Sequence, residues 1–172
     1  MKAVWEGKHF KAYHETVEIS PGKAIDFEYV WRIDGTRSIV INSTGELLLT
    51  REYRHELKDC DWRLPGGKLD SIDERIIDAA SRELQEETGI VAKSWEYLWP
   101  TTPDATVRFQ RHFLLATDIL VGPQHLQDGE RISLSWFSAA AVVRMALEGQ
   151  IREEISALSL LKYIHNRNPE LL

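Results

Sequence analysis

The stretch Arg82-Glu83-Leu84-Gln85-Glu86-Glu87-Thr88-Gly89-Ile90 packs three carboxylates into five residues and closes on a glycine. An α-helix turns about 100° per residue, so with Ile76 at zero, Ile76, Ile77, Ala80 and Leu84 fall in an arc from about 0° to 100°. That spacing predicts a helix over residues 73–88 with this arc buried. On the same wheel Glu83 sits at about 340°, Glu86 at about 280° and Glu87 at about 20°. The opposite, solvent-facing side carries Arg75, Asp78, Arg82 and Gln85. Glu87 thus lies inside the apolar arc and Glu83 borders it. A carboxylate in such a place is costly unless a cation meets it. Carboxylates on adjoining lines also repel one another. A divalent metal resolves both problems, because hard cations take oxygen ligands. The competing reading of a glutamate pair on a helix is an ordinary solvated acidic face, and the wheel disfavours it.

Upstream stand Leu64-Pro65-Gly66-Gly67-Lys68-Leu69-Asp70, then Glu74, then seven residues before Arg82-Glu83. Together these residues resemble the Nudix box, and from Glu74 to Ile90 the match is complete. The loop Asp70-Ser71-Ile72-Asp73 makes the distance from Gly67 to Glu74 one residue longer than the family's. Either a residue is inserted there, or Asp73 replaces the first glutamate of the box. Glu74 is preferred, since it keeps the register to Arg82 and a loop tolerates extra length. The resemblance implies that Glu83, Glu86 and Glu87 ligate magnesium or manganese with the carbonyl of Gly66, while Glu74 and Arg82 brace the site by pairing. Gly66-Gly67 lets the backbone turn sharply. Asp70 to Asp73 are candidate caps for the helix, and Gly89 fits its left-handed end. Lys68 and Asp70 otherwise read as loop residues.

A length of 172 residues with 43% hydrophobic residues suits one domain with a real core. The net charge of -6 argues against broad nucleic-acid binding, which needs a basic surface. It does not exclude a phosphorylated small molecule, because bound metals invert the local sign. Cys60 is the lone cysteine, so neither a disulfide framework nor a cysteine zinc site is expected. The histidines lack metal-ligand spacing, and His55, His112 and His125 read as strand or loop residues. No apolar run is long enough for a membrane span, and the start lacks a signal core. The expectation is a cytoplasmic protein with no membrane and no nucleic-acid partner.

Residues 10–19 and 24–33 read as strands around the turn Ser20-Pro21-Gly22-Lys23. Further strands are expected at 38–42, 47–50, 95–99, 108–116 and 132–137, and helices near 139–148 and 153–166. Val142, Val143, Met145, Ala146, Leu158, Leu161 and Ile164 look like core. Trp5, Trp95 and Trp136 read as structural. The order predicts an α/β fold with a mixed β-sheet packed between helices, which the resemblance makes a Nudix α/β/α sandwich. A small N-terminal antiparallel β subdomain (residues 1–36) would precede the Nudix domain (residues 37–172).

That N-terminal arrangement is similar to the ADP-ribose pyrophosphatase branch, whose members form homodimers by exchanging these strands. Thr50-Arg51-Glu52-Tyr53-Arg54 resembles a strand end of that branch whose last arginine, here Arg54, lies near substrate; the plainer reading is an ion pair with Glu56 or Asp59. Tyr29 and Trp31 fall where the branch stacks its base, although core is the usual place for any single aromatic. Glu130 falls where the branch places a mobile glutamate, which makes it the candidate general base with Asp128 as the fallback; the plainer reading is an acidic loop. Leu64-Pro65-Gly66-Gly67 follows the general Nudix form instead of the branch's Glu-Leu-Pro-Ala-Gly, and Pro103 comes slightly early.

Pyrophosphate is anionic and repels a nucleophile; metals held by the glutamates would offset that charge and acidify a water. The resemblance therefore implies metal-dependent cleavage of a nucleoside diphosphate derivative, with ADP-ribose giving AMP and ribose 5-phosphate. The alternatives are another nucleoside diphosphate sugar, a nucleoside triphosphate, or a Nudix-like module that binds a nucleotide without hydrolysing it.

Overall fold

The computed structural model describes residues 3–127, 129 and 131–172. Strands β1 (Trp5–Glu6), β2 (Lys11–Ser20) and β3 (Lys23–Trp31) form an antiparallel meander. Its hairpin turns at Gly22, which takes the positive φ of 74°. There follow β4 (Gly35–Val40), β5 (Leu47–Arg54), β6 (Asp59–Arg63), α1 (Ile76–Thr88), β7 (Ile90–Pro100), β8 (Val107–Arg108), β9 (Arg111–Val121) and β10 (Ile132–Phe137). Helices α2 (Ala139–Leu147) and α3 (Glu154–Arg167) complete the chain with a last 3-10 turn, Pro169–Leu171.

Where one mixed sheet was expected, the centre holds two three-stranded sheets. One is mixed, in the order β4-β9-β7 with β4 parallel to β9; the other is antiparallel, in the order β10-β5-β6. A bridge between Ile41 and Leu47 links them at the turn from β4 to β5. Period-two alternation sorts their side chains onto two faces. Ile39, Leu49 and Leu115 join Val142, Leu160 and Ile164 in a cluster under α2 and α3. Their neighbours Val40, Leu48 and Ala116 join Leu84 of α1, Ile90 and Ala92 in a second cluster. The sheets thus lie between α1 and the α2–α3 pair, as an α/β/α sandwich requires. β8 adds to the N-terminal meander, parallel to β3. Among the described residues no helix is long and apolar enough to cross a membrane.

Several local expectations need correction. α1 starts at Ile76 with Arg75 as its N-cap and no side-chain cap. Asp70 to Asp73 do not cap it, because the loop closes on itself: the Glu74 carboxylate accepts the Asp70 N–H at 2.6 Å. Gly89 does end α1 in the left-handed region, φ 71°, its N–H donating to the Gln85 carbonyl at 2.8 Å. Leu158 is exposed, because the buried face of α3 is taken by Ser156, Ser159, Leu160, Tyr163 and Ile164, roughly opposite it on the wheel. Trp5 is also exposed, in the two-residue edge strand β1, whereas Trp95 and Trp136 pack against the second cluster. The strand β6 was not foreseen: Asp59-Cys60-Asp61-Trp62-Arg63 alternates, but its buried positions are the charged Asp61 and Arg63, which pair with each other at 2.9 Å.

Candidate active site

The loop after β6 is drawn along β4 by its backbone. Ser38 N–H donates to the Pro65 carbonyl at 2.9 Å, Thr36 N–H to Gly67 at 2.7 Å, and Leu69 N–H to Asp34 at 2.9 Å. So close an approach demands glycine. Gly66 has φ 136°, and a Cβ there would lie 2.3 Å from the Thr36 carbonyl oxygen. A Cβ on Gly67 would lie 2.4 Å from Glu83 Oε2. The loop backbone and the carboxylates of α1 are therefore in direct contact, and Gly66 N–H donates to Glu87 Oε2 at 2.8 Å.

Burial pushes the Glu87 carboxyl up to about 8; the Gly66 N–H and Arg37 oppose the rise, while Glu83 and Glu52 add to it. Burial also raises Glu83, against the pull of Arg82. Arg82 is the brace the pattern called for. It meets Glu74 Oε1 at 3.2 Å and Glu83 Oε1 at 2.9 Å, and donates to the Lys68 carbonyl at 3.3 Å. Those carboxylates hold its guanidinium above the ordinary range despite burial. Glu74, and not Asp73, is the residue that reaches Arg82.

Glu83 and Glu87 line a cleft of about 320 Å³ together with Gly66, Arg54 and Gln127. Glu86 is not among its lining residues. It faces the adjoining surface beside Ser81 and His125, with its carboxylate 3.6 Å from Arg82 Nη1. Its wheel position lies farthest from the apolar arc, so the side chain turns to the arginine outside. The Gly66 carbonyl accepts a hydrogen bond from Arg37 Nη1. Among the described residues no three His, Cys, Asp or Glu side chains are arranged as a metal cluster. The expected ligand set is thus not gathered at one point, although its chemistry fits: the donors are all oxygen, and two are buried carboxylates that repel each other.

The other walls hold residues that sequence reasoning missed. Arg37 pairs with Glu153 through two bonds, Nη2 to Oε1 at 2.8 Å and Nε to Oε2 at 3.2 Å. Arg111 and Arg63 stand 3.9 and 4.0 Å from Glu153 Oε1, and the Ser156 hydroxyl donates to its other oxygen. Burial alone would raise Glu153, but the Arg37 pair, Ser156 and Arg63 hold it down at about 2. A lone cation in the otherwise neutral strand Gly35-Thr36-Arg37-Ser38-Ile39-Val40 was the available signal for Arg37.

Arg54 lines the cleft and is ion-paired at the same time, to Glu52 at 3.2 Å and Glu56 at 3.0 Å. Asp59 instead takes Arg152 at 2.6 Å. Tyr29 and Trp31 do not line this cleft. Tyr29 stacks on Tyr13 with centroids 5.1 Å apart, under the Arg108 guanidinium at 3.5 Å. Trp31 lines a neighbouring cleft with Phe10, Lys11 and Asp70. Glu130 and Asp128 lie outside the described residues.

The NUDIX domain family model matches residues 31–158, well over half of the chain. The ADP-ribose pyrophosphatase of Mycobacterium tuberculosis is 27% identical over 158 residues, covering 90% of this chain and 76% of that protein. The CMP-5'-(N-acetyl-N-hydroxy-3-aminopropyl)phosphonate hydrolase of Streptomyces rubellomurinus is 26% identical over 171 residues, covering 91% and 81%. A solved ADP compounds hydrolase shares the fold with a TM-score of 0.75 at 20% identity, over 97% of this chain and 92% of that one. With a glycine loop seated on the glutamates of α1, an arginine bracing them and a family match across both sheets, the chain belongs to the Nudix hydrolase family.

Proposed function

We propose that this chain hydrolyses the pyrophosphate bond of a nucleoside diphosphate derivative, foremost ADP-ribose to AMP and ribose 5-phosphate. The observation that carries the reading is the pair Glu83 and Glu87, buried against Gly66-Gly67 in a cleft otherwise rich in arginine. Such a pair suits a hard divalent cation, magnesium or manganese, with the Gly66 carbonyl and, after a side-chain rotation, Glu86 completing the donors. When bound, that cation offsets the charge of the phosphate oxygens and acidifies a water. Glu74 and Arg82 fix Glu83 in place. Arg54 meets a phosphate oxygen. Glu130, or Asp128 in the same loop, takes the proton of the attacking water. Water then adds to one phosphorus as its bond to the bridging oxygen breaks, and each product leaves as a monophosphate.

The N-terminal strands, residues 1–36, would join two copies and bring Tyr29 and Trp31 to the nucleobase. Their exposed apolar residues Trp5, Phe10, Ile19 and Ile25 support that use. The free thiol of Cys60 suits the cytoplasm. The Streptomyces relative acts, by its name, on a nucleotide joined to a phosphonate, which makes other phosphorus-linked nucleotides the second reading. A purely binding module would have no use for the paired carboxylates.

The test is turnover of ADP-ribose, nucleoside diphosphate sugars, nucleoside triphosphates and a CMP-phosphonate with magnesium or manganese, by the wild type and by Glu87→Gln. Among the compounds without an additional phosphate ADP-ribose should be turned over fastest, and Glu87→Gln should abolish turnover. Tight metal-independent binding without turnover of any compound would sink the hydrolase reading.

A further inference from the structure

The cleft is more cationic than a diphosphate bridge requires. Among the described residues six cations line it, Arg32, Arg37, Arg54, Arg63, Arg111 and Lys68, against four carboxylates, Glu52, Glu83, Glu87 and Glu153. Three of the arginines are spoken for: Arg37 by Glu153, Arg54 by Glu52, and Arg63 by Asp61 at 2.9 Å. Arg32 forms no ion pair among the described residues, and its Nε is buried without a hydrogen-bond partner. Among the described residues Arg111 reaches no carboxylate closer than Glu153 at 3.9 Å, which is already committed to Arg37. Both guanidiniums lie over the ring of Phe109, at 4.7 and 4.8 Å from its centroid. The ring attracts each cation but neutralises neither. Burial, with Arg37 close by, lowers the pKa of Arg32, and burial lowers that of Arg111 against the pull of Glu153, with Arg37 and Arg32 adding to the fall. Two like charges gathered on one half-buried ring are unfavourable on their own and favourable around an anion. The guanidinium fork matches phosphate oxygens in particular.

A two-charge diphosphate bridge leaves this pair over. A divalent cation at Glu83 and Glu87 would offset the bridge, and Arg37, Arg54 and Arg63 already have carboxylate partners among the described residues. We infer that Arg32 and Arg111, gathered over Phe109, bind a phosphoryl group of the substrate other than the two of the scissile bond. The preferred substrate is then a nucleoside diphosphate derivative bearing an additional phosphate. This rests on the reading of the cleft as a pyrophosphatase site. The additional phosphate could be a terminal phosphate on the second half of the molecule or the third phosphate of a triphosphate.

Two measurements test it. In chelator, tripolyphosphate is titrated into the full-length protein and followed by calorimetry. The wild type should bind it, Arg32→Gln and Arg111→Gln should each weaken binding about tenfold or more, and Arg32→Lys should recover part of the loss. Absence of binding, or binding unchanged in both variants, overturns the inference, and this arm holds whether or not the enzyme turns anything over. With metal, kcat/KM is compared for ADP-ribose against ADP-ribose phosphorylated on its terminal ribose, and for ADP against ATP. The pair with the correct source should show preference for the phosphorylated member, expressed in KM, and Arg32→Gln should erase that preference by raising KM more for the phosphorylated member than for the other. An equal loss on both members would mean that the pair serves the scissile bridge, and overturns the inference. Phe109→Leu keeps both charges and removes the ring. It should lower the preference without abolishing turnover, and it serves as the second variant if a charge substitution fails to fold.

Discussion

Glu87 holds its proton at neutral pH because its carboxyl is buried, with the Gly66 N–H and Arg37 too weak together to offset the lost solvation. Glutamine there keeps the size and an acceptor for Gly66 N–H. In chelator at pH 7, Glu87→Gln should therefore melt at or above the wild type, because it need not take up a proton on folding, while turnover with magnesium falls about a hundredfold or more. A large drop in melting temperature would show that the fold itself needs the charge. The sign of the pH effect follows from the shift. The folded pKa, about 8, lies above the reference value of 4.5. The stabilisation is thus full below the lower value and is lost as pH rises through the upper one. Melting of the metal-free wild type should fall over that window, and Glu87→Gln should flatten the slope. Gly67 carries a second residue-scale prediction. Its missing Cβ leaves room for the Glu83 carboxylate, the free end of a flexible side chain. Gly67→Ala should accordingly lower turnover at least about tenfold while the melting temperature changes little. Unchanged kinetics would mean that Glu83 is not held where the loop puts it.

At the scale of elements, α1 works as a rigid rail whose apolar side sets where its carboxylates lie. Leu84 is fully buried among Val40, Leu48 and Ile90, between Glu83 and Glu87 in sequence. Leu84→Ala should destabilise the protein by about 2–5 kcal/mol, read from urea unfolding; a cost below about 1 kcal/mol would mean that α1 is not anchored there. The helix, its glycine end, its brace and the placing of Glu83 and Glu87 were legible because they follow from local periodicity and short spacings. Other features were not. A wheel gives the direction of Cβ and not the rotamer beyond it, so Glu86 was placed with its neighbours although its carboxylate turns to the outer side of Arg82. Leu158 was read as core because serines are seldom expected on a buried stripe, yet Ser156 and Ser159 occupy it. β6 was missed because its alternation is inverted, with the charged Asp61 and Arg63 on the buried side. Arg37 and Glu153 are 116 residues apart, and only the parallel pairing of β4 with β9 and the return of α3 bring them together.

For the molecule as a whole, Glu153 is the tie between layers. From the start of α3 its carboxylate faces Arg37 of β4, Arg63 of β6 and Arg111 of β9, so one side chain connects both sheets to the helical layer. Its pKa of about 2 lies below the reference value of 4.5. The associated stability is therefore complete above the higher value and disappears as pH falls through the lower one, a contribution on the order of 3 kcal/mol. Urea unfolding of the wild type at pH 7, 5 and 3 should show this acid-side loss. Glu153→Gln should unfold about 3–5 kcal/mol more easily at pH 7, because the Arg37 guanidinium is left buried with its main partner gone. The gap between the wild type and Glu153→Gln should then narrow by pH 3 and close near pH 2. Replacing both partners separates this network from mere packing. Arg37→Met with Glu153→Leu removes the stranded charge along with the pair, and should recover most of the stability lost in Glu153→Gln. If the double variant is no more stable than Glu153→Gln at pH 7, the loss comes from the packing around Ser156 and the start of α3, and the ionic tie is not what joins the layers.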